Sequence, residues 1–183
     1  MHNVPESEDV RQMLARFQEG YTVRDLSALD AFMALFDRDA GIELIGIGAY
    51  ERGGPEWFEG RDAIREIIAS DWQYWGQVEI DVPGAKIMVL DRVAWLSATG
   101  TLEQTETFDQ ALPMYLEQMK GILEDTDRDA DDRLVEASHF GIRRLRERLK
   151  GQGFCWPFVL SAVLVRWEDG WRFHTIHWSM PVD

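Results

Sequence analysis

Apolar residues fall at helical spacing from the start of the chain. Val10, Met13, Leu14, Phe17 and Tyr21 mark one face of an amphipathic helix over residues of about 7 to 19, expected to end near Gly20. A second helix follows closely, with Ser27 and Asp30 spaced as a capping box and Leu29, Phe32, Met33 and Phe36 forming its apolar stripe. Gly41 closes that helical region, and Ile42 to Ile47 reads as a strand. The segment Gly48 to Gly60 is rich in glycine and carries Pro55, which predicts a loop with Trp57 and Phe58 to anchor it. From Arg61 a third helix places Ile64, Ile67, Ile68 and Trp72 on one face, with Asp71 and Tyr74 near its C-terminal end. Gln77 to Val82, Ala85 to Leu90 and Val93 to Leu102 then read as strands, divided by Val82-Pro83-Gly84 and by Asp91-Arg92.

Between residues 107 and 150 the pattern turns helical again. Leu112, Tyr115, Leu116, Met119 and Leu123 belong to one helix and Leu134, Phe140, Leu145 and Leu149 to a second, so Thr107 to Lys150 reads as a helical insertion between strands. The second helix opens with Asp129, Asp131 and Asp132 and closes with Arg143, Arg144, Arg146, Arg148 and Lys150, a distribution that complements the helix dipole. After the insertion, Phe158 to Trp167 and Trp171 to Pro181 flank Asp169-Gly170, a strong hairpin signal. Strict alternation along the returning strand puts Phe173, Thr175, His177 and Ser179 on one face and His174, Ile176, Trp178 and Met180 on the other.

A chain of 183 residues suits one well-buried core, so the whole of residues 1–183 is expected to be a single domain. The formal charge of -14, from 33 acidic and 19 basic residues, argues against nucleic acid or an anionic membrane as partner. The 8 Trp and 9 Phe supply large rings for a core or a cavity wall. Cys155 is the one cysteine, lies among apolar residues and fits a reducing compartment. The opening MHNVPESEDV lacks the features of a signal peptide, and no apolar run is long enough to span a bilayer. The expected location is the cytoplasm.

The order of elements, with Gly60 before the Ala63-Ile64 helix start, Val93-Ala94-Trp95 in a strand, and Asp169-Gly170-x-Arg172 before His177-Trp178-Ser179, resembles the SnoaL-like branch of the nuclear transport factor 2-like superfamily. The likeness covers residues of about 8 to 105 and 154 to 181; the helical stretch between them departs from the usual short connection. The resemblance implies an α+β, cystatin-like roll: a cone-shaped, strongly curved antiparallel sheet wrapped around the N-terminal helices, with a cavity at its open end. It further implies pairing of two copies through the outer face of the sheet, for which Trp178 and Met180 are the expected contacts. Such folds host isomerases, dehydratases, polyketide cyclases, ligand-binding modules and scaffolding domains, so fold does not settle function.

His177 is the leading catalytic candidate, since an imidazole in an apolar cavity exchanges protons near neutral pH. His177, Ser179, Trp72, Trp95, Tyr21 and Phe173 form the expected ligand-binding set, with Trp57 and Trp75 as further aromatic positions. Acid–base relatives use an aspartate or histidine with tyrosines that polarise a carbonyl; Asp71, Tyr74, Tyr21, Tyr50 and Glu103 are the counterparts by residue type, and no motif match assigns any of them a role. Asp125, Asp127, Asp129 and Glu136 have the spacing of an EF-hand loop, but Ala130 replaces the glycine that makes its sharp turn and Asp132 its aliphatic residue. The stretch therefore reads as an acidic helix connection, and neither a metal nor a cofactor is expected.

Three functions fit these residues. The first is a homodimeric small-molecule-binding domain whose aromatic-lined cavity near His177 holds an apolar or lightly polar ligand. The second is an acid–base enzyme of the polyketide cyclase, dehydratase or isomerase type, which a buried carboxylate or histidine hydrogen-bonded to a cavity tyrosine would favour. The third is a protein-interaction module that uses the helical insertion.

Overall fold

The computed structural model describes residues 4–105 and 108–181. Helix α1, Val4–Val23, buries Val10, Met13, Leu14, Phe17 and Tyr21 as the spacing predicts, yet it runs through Gly20. A Cβ at Gly20 would lie 2.1 Å from the Phe32 ring, so this glycine serves a close approach and not a helix end. The second helical region is broken into a 3₁₀ turn at Leu26–Ala28, α2 at Leu29–Phe32 and another 3₁₀ turn at Met33–Leu35. Its cap is Asp25 and not Ser27: the Asp25 carboxylate accepts from the Ser27 amide at 2.9 Å and its hydroxyl at 2.7 Å.

Strand β1, Glu43–Ile45, is shorter than its apolar run, and the expected loop after it contains a short strand β2, Trp57–Glu59, paired antiparallel to β1. Helix α3, Gly60–Tyr74, buries Ile64, Ile68 and Trp72. Strands β3, Gln77–Ile80, β4, Lys86–Leu90, and β5, Val93–Glu103, follow, and the C-terminal hairpin consists of β6, Cys155–Trp167, and β7, Gly170–Ser179. The seven strands form one sheet in the order β2-β1-β7-β6-β5-β3, with β4 also paired to β5. The sheet is mixed, because β1 lies parallel to β7. No tight turn joins those two strands, so nothing in the connection imposes the antiparallel direction.

The sheet buries one face. Along β5, Ala94, Leu96, Ala98 and Leu102 are buried while Val93, Trp95 and Ser97 are exposed; along β6, Phe158, Leu160, Ala162 and Leu164 are buried. Phe17 of α1 packs on Phe173 and Trp178 of β7, with ring centroids 5.4 and 6.1 Å apart. Gly100 lets β5 pass close to its neighbours: a Cβ there would stand 2.5 Å from the Glu79 carbonyl oxygen and 2.2 Å from the Phe158 ring.

Strand β7 departs from strict alternation. Its partner register steps from Val163 opposite Thr175 to Leu164 opposite Phe173, leaving His174 as an extra residue in a bulge. Trp171 and Phe173 before the bulge and Ile176 and Trp178 after it all face the core, while His177 and Ser179 are exposed. The expected sharing of a face by Phe173 and His177 therefore fails, and Trp178 is a core residue and not an outer contact.

The chain divides into two compact units, Met1–Leu102 with Trp156–Asp183, and Glu103–Cys155. The second holds helices α4, Phe108–Glu124, and α5, Ala130–Lys150; the expected start at Thr107 lies outside the described residues. Tyr115 packs edge-on against Phe140, centroids 6.1 Å apart, and the Arg144 guanidinium sits 4.5 Å above the Tyr115 ring. The side chains of Arg143, Arg146, Arg148 and Leu149 lie outside the described residues. Among the described residues no helix is long and apolar enough to cross a membrane.

Candidate functional site

Two helix ends meet beneath Trp178. Tyr21, on the last turns of α1, is fully buried and donates its hydroxyl to Oδ2 of Asp71, near the end of α3, at 2.9 Å. Aromatic rings surround Tyr21: its ring lies 5.8 Å from Trp178, 6.2 Å from Phe32 and 6.4 Å from Trp75, and Trp75 meets Trp178 edge-on at 5.3 Å. Asp71 Oδ1 has no hydrogen-bond partner among the described residues and is not one of the polar atoms sealed from solvent. The carboxyl group is thus packed among protein atoms on one side and open at one oxygen.

Burial is the largest influence on its ionisation, pushing the Asp71 carboxyl up to about 7. The Tyr21 hydrogen bond and the Arg24 charge pull the other way, and Glu56 adds to the upward push. Burial and the neighbouring Asp71 hold the Tyr21 phenol well above its ordinary value, so it stays a hydrogen-bond donor at any physiological pH. A carboxyl group that exchanges its proton near neutrality, held by a donor that does not ionise, is suited to general acid–base work.

The other expected residues are divided between the two faces of the sheet. Tyr21, Trp72 and Phe173 lie in the core, and Trp72 packs edge-on against Phe32 at 5.0 Å with its indole N–H unpartnered. His177, Ser179 and Trp95 lie on the opposite face, where His177 and Trp95 line a hollow of about 390 Å³ with Lys86, Met88, Ser161 and Thr175. Tyr50 and Tyr74 are 69% and 56% exposed, and Glu103 is also at the surface, so none joins Asp71. Trp57 is half-buried, its indole N–H directed to Glu43 at 3.4 Å.

Two residues absent from the expected set also belong to the neighbourhood of Asp71. Arg24 follows α1 with a left-handed φ of 53°, and Glu56 stands in the loop before β2 with a φ of 60°. Neither conformation is written in residue type, because both positions are ones that normally favour glycine.

In the acidic connection of the second unit, Arg128 stands where a cation would be needed: it pairs with Asp125 at 3.3 Å and with Glu136. Among the described residues no group of three or more His, Cys, Asp or Glu is placed to hold a metal ion.

The sequence profile of the SnoaL-like domain matches residues 10–129, well over half of the chain. The chain belongs to the SnoaL-like domain family. Its solved structural neighbours carry the nuclear transport factor 2-like, cystatin-like fold. They include a candidate dehydratase of that family from Streptomyces avermitilis, at a TM-score of 0.59 and 13% identity, covering 98% of each chain. A protein with a cystatin-like fold from Novosphingobium aromaticivorans matches at a TM-score of 0.57 and 12% identity, over 98% of this chain and 84% of that one. A ketosteroid isomerase-like protein from Erwinia carotovora atroseptica matches at a TM-score of 0.53 and 12% identity, over 94% of this chain and 93% of that one. At such identities these neighbours establish the fold of this SnoaL-like chain and nothing finer. No curated protein matches it.

Proposed function

We propose that this SnoaL-like protein is an acid–base enzyme of the isomerase, dehydratase or cyclase kind, with Asp71 as the group that takes and returns the proton. The observation that carries the reading is the 2.9 Å contact between the buried Tyr21 hydroxyl and a carboxyl group whose proton exchanges at about 7. Tyr21 Oη is committed to Asp71 Oδ2 and the ring is fully buried, so Tyr21 positions the carboxyl while Oδ1 faces the reactant. The chemistry this serves is abstraction of a carbon-bound proton beside a carbonyl and its return elsewhere, or loss of a β-hydroxyl. The aromatic surroundings suit an apolar or lightly polar small molecule. Two of the fold neighbours are described as a candidate dehydratase and as ketosteroid isomerase-like, which is consistent in reaction class. The test is a panel of neutral β,γ-unsaturated and β-hydroxy ketones followed by NMR in D₂O. Turnover or deuterium uptake should rise through a pH midpoint near 7 and disappear in Asp71→Asn; activity that persists in that variant refutes the assignment.

The outer face of the sheet supports a second element of the reading, a homodimer formed through that face. Met88, Val93, Trp95, Val159 and Val163 are 37–43% exposed there, an apolar surface that a second copy would cover.

A further inference from the structure

The residue after α1 is an arginine in a position that favours glycine. Arg24 has a φ of 53°, and its amide donates to the Gly20 carbonyl at 2.9 Å, the hydrogen bond of a left-handed helix cap. Glycine would adopt that conformation without steric cost, whereas arginine adopts it under strain. The strained turn aims the side chain across to the end of α3. Nε donates to the Tyr21 carbonyl at 2.8 Å, Nη1 to the Trp75 carbonyl at 2.6 Å, and Nη2 to the Gly76 carbonyl. One guanidinium thereby joins the carbonyl of the residue that donates to Asp71 with the carbonyls that follow Asp71 by one helical turn.

We propose that Arg24 is the positioning residue of the Tyr21–Asp71 pair: it locks the two helix ends at hydrogen-bonding distance and supplies a positive charge that acts on the carboxyl group. The inference rests on the acid–base reading of Asp71 only for its functional meaning; the geometry stands without it. Among the described residues, the titratable and charged groups that act on Asp71 are Tyr21 and Arg24 from the end of α1 and Glu56 from the loop before β2. Arg24 and Glu56 act on Asp71 in opposite senses, the cation favouring the ionised form and the carboxylate opposing it. Three of its five N–H donors are engaged by backbone carbonyls, which fixes the Arg24 guanidinium between the two helix ends and holds the base in place.

The test is a ¹³C NMR titration of the Asp71 carboxyl in the full-length protein, assigned by comparison with Asp71→Asn. Arg24→Met should tighten proton binding at Asp71 at least about threefold, moving its midpoint upward by half a unit or more. Glu56→Gln should move the midpoint down, and Arg24→Lys, which keeps the charge, should restore most of the wild-type value. Arg24→Gly guards against misfolding, since glycine fits the left-handed turn while removing both clamp and charge; its midpoint should follow that of Arg24→Met. An Asp71 midpoint unmoved in folded Arg24→Gly or Arg24→Met overturns the proposal. Because the titration needs no turnover, a shifted midpoint in a protein inactive toward every ketone would sink the enzyme assignment and leave the role of Arg24 standing.

Discussion

Replacing Asp71 by Asn should make the protein more stable at alkaline pH, and the size of the gain follows from the ionisation of the carboxyl group. In the unfolded chain this group titrates at its ordinary value of 3.8; in the fold it titrates at about 7. Between those values the folded state holds a proton that the unfolded state has released, so stability falls as pH rises through the window and levels off above 7. A difference of about 3 units at about 1.4 kcal/mol each sets the penalty at about 4 kcal/mol at pH 8. Asparagine mimics the neutral acid, and its carbonyl can still accept from Tyr21, so the variant should escape most of that penalty. Other carboxylates contribute their own pH dependence, which cancels when the two proteins are compared. Urea unfolding followed by tryptophan fluorescence at pH 4.5 and pH 8 should therefore show a gap of only about 1 kcal/mol at the acid end, where the window has just opened. At the alkaline end Asp71→Asn should be ahead by about 2–4 kcal/mol. A constant difference between the two proteins across that range would refute the account of Asp71 as a buried, destabilised carboxylate. A gain in stability paired with a loss of turnover is the pattern expected where a strained group serves chemistry.

Three further outcomes are expected. Tyr21→Phe should raise the Asp71 midpoint above about 7 in the carboxyl titration, because the lost hydrogen bond favours the ionised form, and should cost about 1 kcal/mol in urea unfolding. Trp95→Asp, which places a charge in the outer-face hollow, should convert a dimer to a monomer in sedimentation velocity without changing the far-ultraviolet circular dichroism; an unchanged sedimentation coefficient would remove that face from the interface. Gly100→Ala should destabilise the protein by about 1–3 kcal/mol, since its Cβ would meet the Glu79 carbonyl oxygen at 2.5 Å as well as the Phe158 ring, and a neutral result would show that β5 shifts freely.

The elements were legible wherever one period held over several turns or alternations. Val10, Leu14, Phe17 and Tyr21 recur at intervals of four, three and four, and so do Ile64, Ile68, Asp71 and Trp75. The second series contains the site: a carboxylate takes the place of an apolar residue on a buried stripe, at the same end at which the first stripe closes with a tyrosine. Read as a pair, the two series point to the contact that the structure displays. Reading Asp71 as a helix-end residue missed it, because helix ends commonly carry exposed acids. Arg24 was not legible at all, since its side-chain direction depends on a left-handed turn that residue type does not announce.

His177 was misplaced for a different physical reason. Strict alternation is a rule for an unbroken ladder, and one extra residue reverses the facing of everything beyond it. The trace of the bulge is present in the spacing of the large apolar residues of β7: Trp171, Phe173, Ile176 and Trp178 follow at intervals of two, three and two, and the interval of three spans His174. Unbroken alternation over the five positions from Phe173 to Trp178 would point these two residues to opposite sides of the sheet. With the bulge, both pack against Phe17, and Trp178 stands 5.8 Å from the Tyr21 ring. The same residue that turns His177 outward thus supplies the aromatic wall behind Tyr21, and it is burial of this kind that holds Asp71 protonated to near neutral pH.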